Sequence, residues 1–346
     1  MWPKVSIIWL NHNSSKIMSI VLRSLESIIN LDYPFDRFEL IVVDNGSNDG
    51  SFERIKDFLE GKRLRKRVVK LNRNLGFTGG NNAGFIVRDK ESKYVVLVNN
   101  DCVVAEDSLK LYIETLEAFP NLGAIQGTVL GFDNKTIDSV GIYLTDLLIP
   151  IGFPKNFNEV FSGKLFLCSA VEGTFPAFRV EALLKAFNSQ KIFDEYFYGF
   201  GEDVFTSIQL WRAGFGTAFI ARLVGFHKRG ATWSSLVAFT LSLRNYLAMT
   251  ELFSGNLAWI VRAAIVLRRA PTRMPRTYGR IAKAVIESRK LAKKLSQKYG
   301  KLELPMSMPL IKVPREKALI AMFIGRALES HIKREALAII KRFTIE

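Results

Sequence analysis

The sequence predicts an α/β fold with a mostly parallel sheet flanked by helices, and three observations carry that prediction. Short apolar runs recur without polar alternation (Val5–Leu10, Phe38–Val43 and Tyr94–Val98), as expected of strands buried on both faces. Segments of helical periodicity separate them, and strands alternating with helices pair in parallel through right-handed crossovers. Clusters of polar residues stand where these strands end, and the carboxyl ends of parallel strands are where such sheets bind ligands.

The elements follow in order. After Val5–Leu10, Ser14 or Ser15 is placed to cap a helix whose apolar positions Ile17, Val21, Leu25 and Ile28 share one face. Tyr33-Pro34 ends that element, because the residue before proline disfavours helix, and Phe38–Val43 is the second strand. A turn, a helix around Phe52–Leu59, the strand Arg67–Leu71, a glycine-rich loop, a short helix and the strand Tyr94–Val98 complete the first unit. Residues 129–235 are rich in Gly, Phe and turn formers, with one helix near Asp203–Ala213. After Trp233 long helical patterns are broken by Pro271, Pro275, Pro305, Pro309 and Pro314. The division expected is 1–128 and 129–235 as two halves of one domain, then a helical region over 236–346.

Charge separates the same parts. Residues 1–235 hold 27 Lys and Arg against 26 Asp and Glu, whereas 236–346 hold 22 against 7, out of a net charge of +16. The positive charge therefore belongs to the C-terminal region. There, Thr277–Gly300 places Ile281, Val285, Ser288, Ala292 and Leu295 on one side, with lysines and arginines around the rest, and Glu316–Phe343 has a similar texture. Such helices either lie on an anionic membrane surface or pack on the domain with solvated outer faces. Nucleic acid is not expected as a partner, since aromatic stacking platforms are sparse there. No run of about 18 uncharged apolar residues marks a membrane span, the segment Leu257–Leu267 being short and carrying Arg262. The strand-like Val5–Leu10 begins too early to be a secretory signal. Two cysteines, Cys102 and Cys168, suit a reducing compartment.

Five stretches could carry chemistry. Asp44-Asn45-Gly46-Ser47-Asn48-Asp49 follows a buried strand and reads either as a capped turn or as a pocket for base and ribose. Asn74 to Gly84 includes Gly76, Gly79, Gly80, Asn81 and Asn82 before a helix, where backbone can approach a ligand closely. It is not a dinucleotide fingerprint, because Asn11-His12-Asn13 stands after the first strand, and a Gly-Lys-Ser/Thr phosphate loop is absent. Asn99-Asn100-Asp101 ends a buried strand with one carboxylate, suited either to a helix cap or to a hard cation shared with phosphate oxygens. In Tyr196 to Asp203, aromatics run into Glu202-Asp203 at a helix start. Acidic residues there are favoured by the helix dipole, but a carboxylate beside aromatic surface also suits sugar binding and proton abstraction. His227 is one of three histidines and is open to a structural or a ligand role.

In this order and spacing the stretches resemble the inverting family 2 glycosyltransferases with a GT-A fold, especially the branch similar to rhamnosyl- and galactofuranosyltransferases. The resemblance runs from Val5 to about Asn245 and is carried by Val5–Asn13, Tyr33-Pro34, Glu39–Asp49, Asn74-Leu75-Gly76-Phe77, Gly79–Asn82, Asn99-Asn100-Asp101, Phe193-Asp194-Glu195, Glu202-Asp203, Ala213-Gly214-Phe215, His227 and Arg244-Asn245. It implies transfer of a sugar from a UDP-, dTDP- or GDP-linked donor to a hydroxyl of a glycan or lipid-linked acceptor, on the cytoplasmic face of the membrane. Asp44 and Asn45 would hold the nucleobase beside His12, with Asn11, Gly80, Asn82, Asn99 and Asn100 completing the donor site. Asp101 and His227 would ligate Mg²⁺ or Mn²⁺. Asp203 would be the general base, and Glu202 would bind an acceptor hydroxyl or position Asp203. Three positions depart from the pattern: Asn99 replaces the first acidic residue of the metal motif, Phe205 a further Asp, and Gln209 an Arg. The competing readings are a polyprenyl-phosphate sugar synthase, a sugar nucleotidyltransferase, which would need a Gly-rich basic signature after the first strand, and an inactive sugar-nucleotide-binding protein.

Overall fold

A computed structural model describes residues 1–152, 159–228, 235–273, 278–314, 316 and 329–345. Strand β1 (Val5–Asn11), helix α1 (Met18–Ile29), β2 (Phe38–Asp44), α2 (Ser51–Leu59), β3 (Lys66–Lys70), α3 (Gly76–Val87) and β4 (Tyr94–Asn99) alternate as the hydrophobic pattern predicts. β1, β2 and β4 are buried almost throughout, because α1 covers one face of the sheet and α3 the other. The polar N–H of the Trp9 indole, on the α1 side, is satisfied by Ser24 at 3.0 Å.

The second half builds β5 (Cys102–Val104), α4 (Ser108–Ala118), β6 (Leu122–Gly131), β7 (Ile137–Ser139), β8 (Ile142–Thr145), β9 (Pro150–Gly152), β10 (Leu165–Cys168), β11 (Ala177–Arg179), α5 (Val180–Phe187), α6 (Glu202–Arg212) and β12 (Gly216–His227). The main sheet runs β14-β10-β12-β6-β11-β4-β1-β2-β3, with β5 on β12 and β7 on β6; its last strand, β14 (Thr344–Ile345), comes from the far end of the chain. It is parallel through β3, β2, β1 and β4, and β11 enters antiparallel between β4 and β6. The region read as irregular in sequence is therefore half of the sheet. β6 and β12 are long, but their bulged register and glycines blur the pattern a single sequence shows.

The C-terminal region packs on the rest of the chain. Helix α7 (Ser235–Arg273) continues past Pro271 and bends at Gly255, whose φ of 85° is non-helical. Helix α8 (Tyr278–Tyr299) packs against it, and its expected apolar stripe, Ile281, Val285, Ser288, Ala292 and Leu295, is buried within the protein. The face available for inserting into a bilayer is thus already covered, while Arg280, Lys283, Lys290, Lys293 and Lys294 remain exposed. Strand β13 (Leu310–Ile311) pairs with β8, and helix α9 (Glu329–Arg342) leads into β14. The helix expected over Glu316–Phe343 lies partly outside the described residues, as does Pro275. Among the described residues, no helix is long and apolar enough to cross a membrane.

Candidate active site

Parallel register brings the polar strand ends to one edge. Leu10 of β1 lies opposite Asn99 of β4, and Asn11 lies opposite Asp44 of β2. Above them lies a cavity of about 950 Å³, lined among others by His12, Asn45, Asn99, Asn100, Asp101, Glu172, Glu202, Asp203, His227 and Tyr246. That size accommodates a ligand as large as a nucleotide sugar.

Asp101 and His227, distant in sequence, meet here. β12 pairs antiparallel with β5, setting His227 opposite Cys102, and the Lys228 N–H donates to the Asp101 carbonyl at 3.1 Å. His227 Nε2 then stands 3.0 Å from Asp101 Oδ1, and its Nδ1 stands 2.7 Å from Asp138 Oδ2 on β7. Burial alone would lower the imidazole's pKa, but the two carboxylates outweigh it and push it up to about 9. Among the described residues no three His, Cys, Asp or Glu side chains form a closed metal cage. The donor set nevertheless fits a divalent cation that keeps positions for phosphate oxygens: one carboxylate and one imidazole face the cavity, and a second carboxylate orients the far ring nitrogen.

The second acidic pair starts α6. Phe200 and Gly201 both have positive φ, 65° and 94°, and a non-glycine residue held there is strained. Asn245 of α7 holds the turn, its Nδ2 donating to the carbonyls of Gly199 and Phe200 at 2.9 and 2.7 Å. Asp203 accepts the N–H groups of Gly173 and Val204 at 3.0 and 2.8 Å. Burial raises the pKa of Asp203, and burial plus the neighbouring Asp203 charge raises that of Glu202 well above the usual carboxylate range. Among the described residues, Glu202 Oε2 and His12 Nδ1 are buried without hydrogen-bond partners, and both residues line the cavity. Unpaired buried polar atoms are uncommon, so a ligand is the natural partner for both.

Other expected residues hold the frame. Asn11 is fully buried; its amide nitrogen bonds Asp44, Ser47 and Ser51, and its side-chain carbonyl accepts from Asn100 at 3.1 Å. Asp44, also fully buried, accepts from Asn11 and from the Ser47 N–H. Neither lines the cavity. Asn45 ties β2 to the loop before α3 through Asn74, Leu75 and Gly76. Asn82 receives the N–H groups of Ile192 and Phe193 and donates to the Phe193 carbonyl. Glycines serve close packing: a Cβ on Gly80 would stand 2.4 Å from Leu10 Cδ1, and one on Gly76 would stand 2.2 Å from the Tyr198 carbonyl. Asp138, Glu172, Ser242 and Tyr246 were not legible as site residues, because they sit in segments without a strand-end motif; position next to Arg244-Asn245 was the one signal for Tyr246.

The α/β fold around this cavity is of the GT-A type. The solved structures similar to this chain share that fold: a mannosyltransferase from Pyrobaculum calidifontis in complex with GDP-Man and Mn²⁺ (TM-score 0.53, 18% identity, 85% of this chain and 88% of that one) and GalNAc-T7 with UDP, GalNAc and Mn²⁺ (0.57, 14%, 86% and 59%). Residues 6–175 match the model of glycosyl transferase family 2. Among curated relatives, the poly-beta-1,6-N-acetyl-D-glucosamine synthase of Staphylococcus epidermidis is 31% identical over 104 residues, 30% of this chain and 24% of its own length. A probable glycosyltransferase of Bacillus subtilis, YdaM, is 33% identical over 85 residues, 24% and 20% of the two chains. The chain thus spans about a quarter of the length of the curated relatives it matches. None of these four proteins is a rhamnosyl- or galactofuranosyltransferase by name.

Proposed function

We propose that the protein is an inverting, metal-assisted glycosyltransferase that moves a hexosyl group from a nucleotide-diphosphate sugar to a hydroxyl of a glycan or lipid-linked acceptor. The observation that carries this reading is that one cavity is lined by both Asp101–His227 and Glu202–Asp203. The similar mannosyltransferase and GalNAc-T7 hold Mn²⁺ with a sugar nucleotide or its parts, which supports the same class of donor here.

In this reading Asp101 and His227 would hold a Mg²⁺ or Mn²⁺ ion, which supplies neutralisation of the leaving diphosphate's charge. His12 presents an unpaired Nδ1 to the nucleobase end of the donor. The acceptor oxygen forms a bond to the anomeric carbon as the bond to the diphosphate oxygen breaks, inverting that centre. Asp203 takes the acceptor's proton, and its two backbone amide bonds hold the carboxylate in place as it does so. Glu202 receives a hydroxyl of the acceptor on its free Oε2. Peripheral attachment to an anionic membrane completes the reading as electrostatic adsorption through the exposed lysines of α8, since the apolar stripe is buried.

A donor screen tests this. Release of UDP, dTDP or GDP is followed with Mg²⁺ or Mn²⁺, with EDTA, and with and without a lipid-extract acceptor. Metal-dependent release from one donor class is expected; release undiminished by EDTA overturns the metal-assisted mechanism, and no release from any donor overturns the enzyme.

A further inference from the structure

Asp138 is a buried carboxylate that no motif marks. Its side chain is 5% exposed, and its Oδ2 lies 2.7 Å from His227 Nδ1. A carboxylate can only accept, so the Nδ1–H of the imidazole points at Asp138. The ring is thereby turned so that Nε2 faces Asp101 Oδ1, at 3.0 Å.

The arrangement is built on rigid elements. β7 pairs with β6, Leu130 lying opposite Ile137; β6 pairs with β12, Leu130 lying opposite Phe226; and β12 pairs with β5, His227 lying opposite Cys102. Ile137 and Ser139 on either side of Asp138 are buried, and Gln126 donates to the Ser139 hydroxyl at 2.8 Å. Four adjacent strands thus fix the order Asp138, His227, Asp101. Sites assembled on strands hold their side chains more tightly than sites on loops.

We propose that Asp138 is a positioning residue of the cation site, whose carboxylate holds the His227 ring through Nδ1–H so that Nε2, beside Asp101, is aimed at the ion. The inference rests on the metal-assisted reading above and adds a residue to it. A ligating histidine whose other nitrogen donates to a carboxylate is fixed in orientation and is a stronger base toward the metal, and loss of that partner typically costs about 10–100-fold in affinity. An asparagine at 138 could donate its amide N–H to Nδ1, which would favour the opposite tautomer and place a hydrogen on Nε2, against the cation.

The test compares wild type with Asp138→Asn by titrating Mn²⁺, with UDP or GDP present, and counting free Mn²⁺ by electron paramagnetic resonance. The variant should bind Mn²⁺ about 10–100-fold more weakly, with unchanged circular dichroism in metal-free buffer; its melting temperature there should fall at neutral pH, because the buried imidazolium loses one of its two carboxylates. A second measurement needs no variant. With three histidines in the chain, side-chain ¹⁵N spectra with Mg²⁺ and nucleotide should show His227 protonated at Nδ1 and bare at Nε2. Mn²⁺ binding by the variant within about twofold of wild type, or the reverse tautomer in wild type, overturns the role of Asp138 alone. Wild-type protein that binds no Mn²⁺ with either nucleotide overturns the metal-assisted reading and this inference with it.

Discussion

His227 Nε2 stands 3.0 Å from Asp101 Oδ1 across 126 positions of sequence, on strands that pair only once the second half of the sheet has formed. Asn99 leaves Asp101 as the carboxylate of its strand-end motif, so the pair has little redundancy. Asp101→Ala should therefore lower donor turnover by at least about 10²-fold, on the scale of losing a main electrostatic stabiliser, and EDTA should do the same. His227→Ala should raise the Mn²⁺ concentration needed for half-maximal rate while leaving a measurable kcat. Initial rates over a metal titration decide it, and an Asp101→Ala enzyme at full rate would remove the residue from the site.

Asp203 offers a separate test, because it contacts backbone amides and not the Asp101–His227 pair. Asp203→Asn should leave nucleotide affinity near wild type while transfer falls by roughly 10²–10⁴-fold. Burial raises the pKa of Asp203 above the ordinary carboxylate value, and the base must be ionised to accept a proton. Transfer should consequently increase with pH through the apparent pKa of the Glu202–Asp203 pair and level off above it. A kcat profile flat from about pH 4.5 to 8 would contradict this assignment.

Glu202 has the opposite consequence for stability. Its folded pKa lies well above the unfolded value because burial and the Asp203 charge disfavour ionisation. Its contribution is therefore fully favourable below the ordinary carboxylate pKa and is lost as pH rises through the folded value. Glu202→Gln should stabilise the ligand-free protein at about pH 8, because the amide carries no charge to disfavour on burial, and change little at about pH 4. Urea midpoints at the two pH values measure it. Equal shifts at both would show that charge is not the cause.

What the sequence made legible follows from how local each signal is. β1, β2 and β4 carry their own apolar runs, and the polar residues ending them necessarily share one edge once the strands are parallel. His227 could be singled out, but its partner Asp138 could not, because their contact depends on the pairing of β7 with β6 and of β6 with β12. The amphipathic pattern of α8 was equally visible, yet amphipathicity states only that one face is covered and does not name the cover. Phe205, a departure from the family pattern, supplies part of the answer. Its ring lies 6.0 Å from Phe253 of α7 and 5.5 Å from Tyr299 of α8, an apolar contact that an aspartate could not make.

Removal of residues 256–346 should accordingly unfold the protein. Asp194 has a fully buried side chain that accepts from Lys298 at 2.8 Å and from the Tyr299 hydroxyl. β14 pairs with β10 at the sheet edge. Truncation removes Lys298 and Tyr299 from the buried Asp194, leaving it Lys191 at 3.3 Å, and uncovers Phe205. The milder variant Lys298→Met should destabilise by less than the roughly 3–5 kcal/mol of breaking a fully buried pair, because the lysine is partly exposed and Lys191 also pairs with Asp194. A truncated chain that melts cooperatively near the wild-type temperature would show the helices to be an addition to the domain.

Burial of the α8 stripe also changes what membrane binding should look like. An inserted amphipathic helix holds on through apolar area and tolerates salt. Here Ile281, Val285, Ala292 and Leu295 face protein, and the lipid would meet Arg280, Lys283, Lys290, Lys293 and Lys294, all exposed. Each basic residue near an anionic surface contributes about 1 kcal/mol, within a screening length of about 10 Å at 0.1 M salt that shrinks to about 3 Å at 1 M. Binding to vesicles containing phosphatidylglycerol should thus be clear at low salt, disappear at high salt and be absent for neutral phosphatidylcholine. The combined change Lys290→Glu, Lys293→Glu and Lys294→Glu should abolish it, whereas Ile286→Ser, at a 63% exposed apolar position on the same helix, should not. Salt-resistant co-sedimentation lost on Ile286→Ser would mean that the outer face inserts after all, and binding to neutral vesicles would remove charge as the cause.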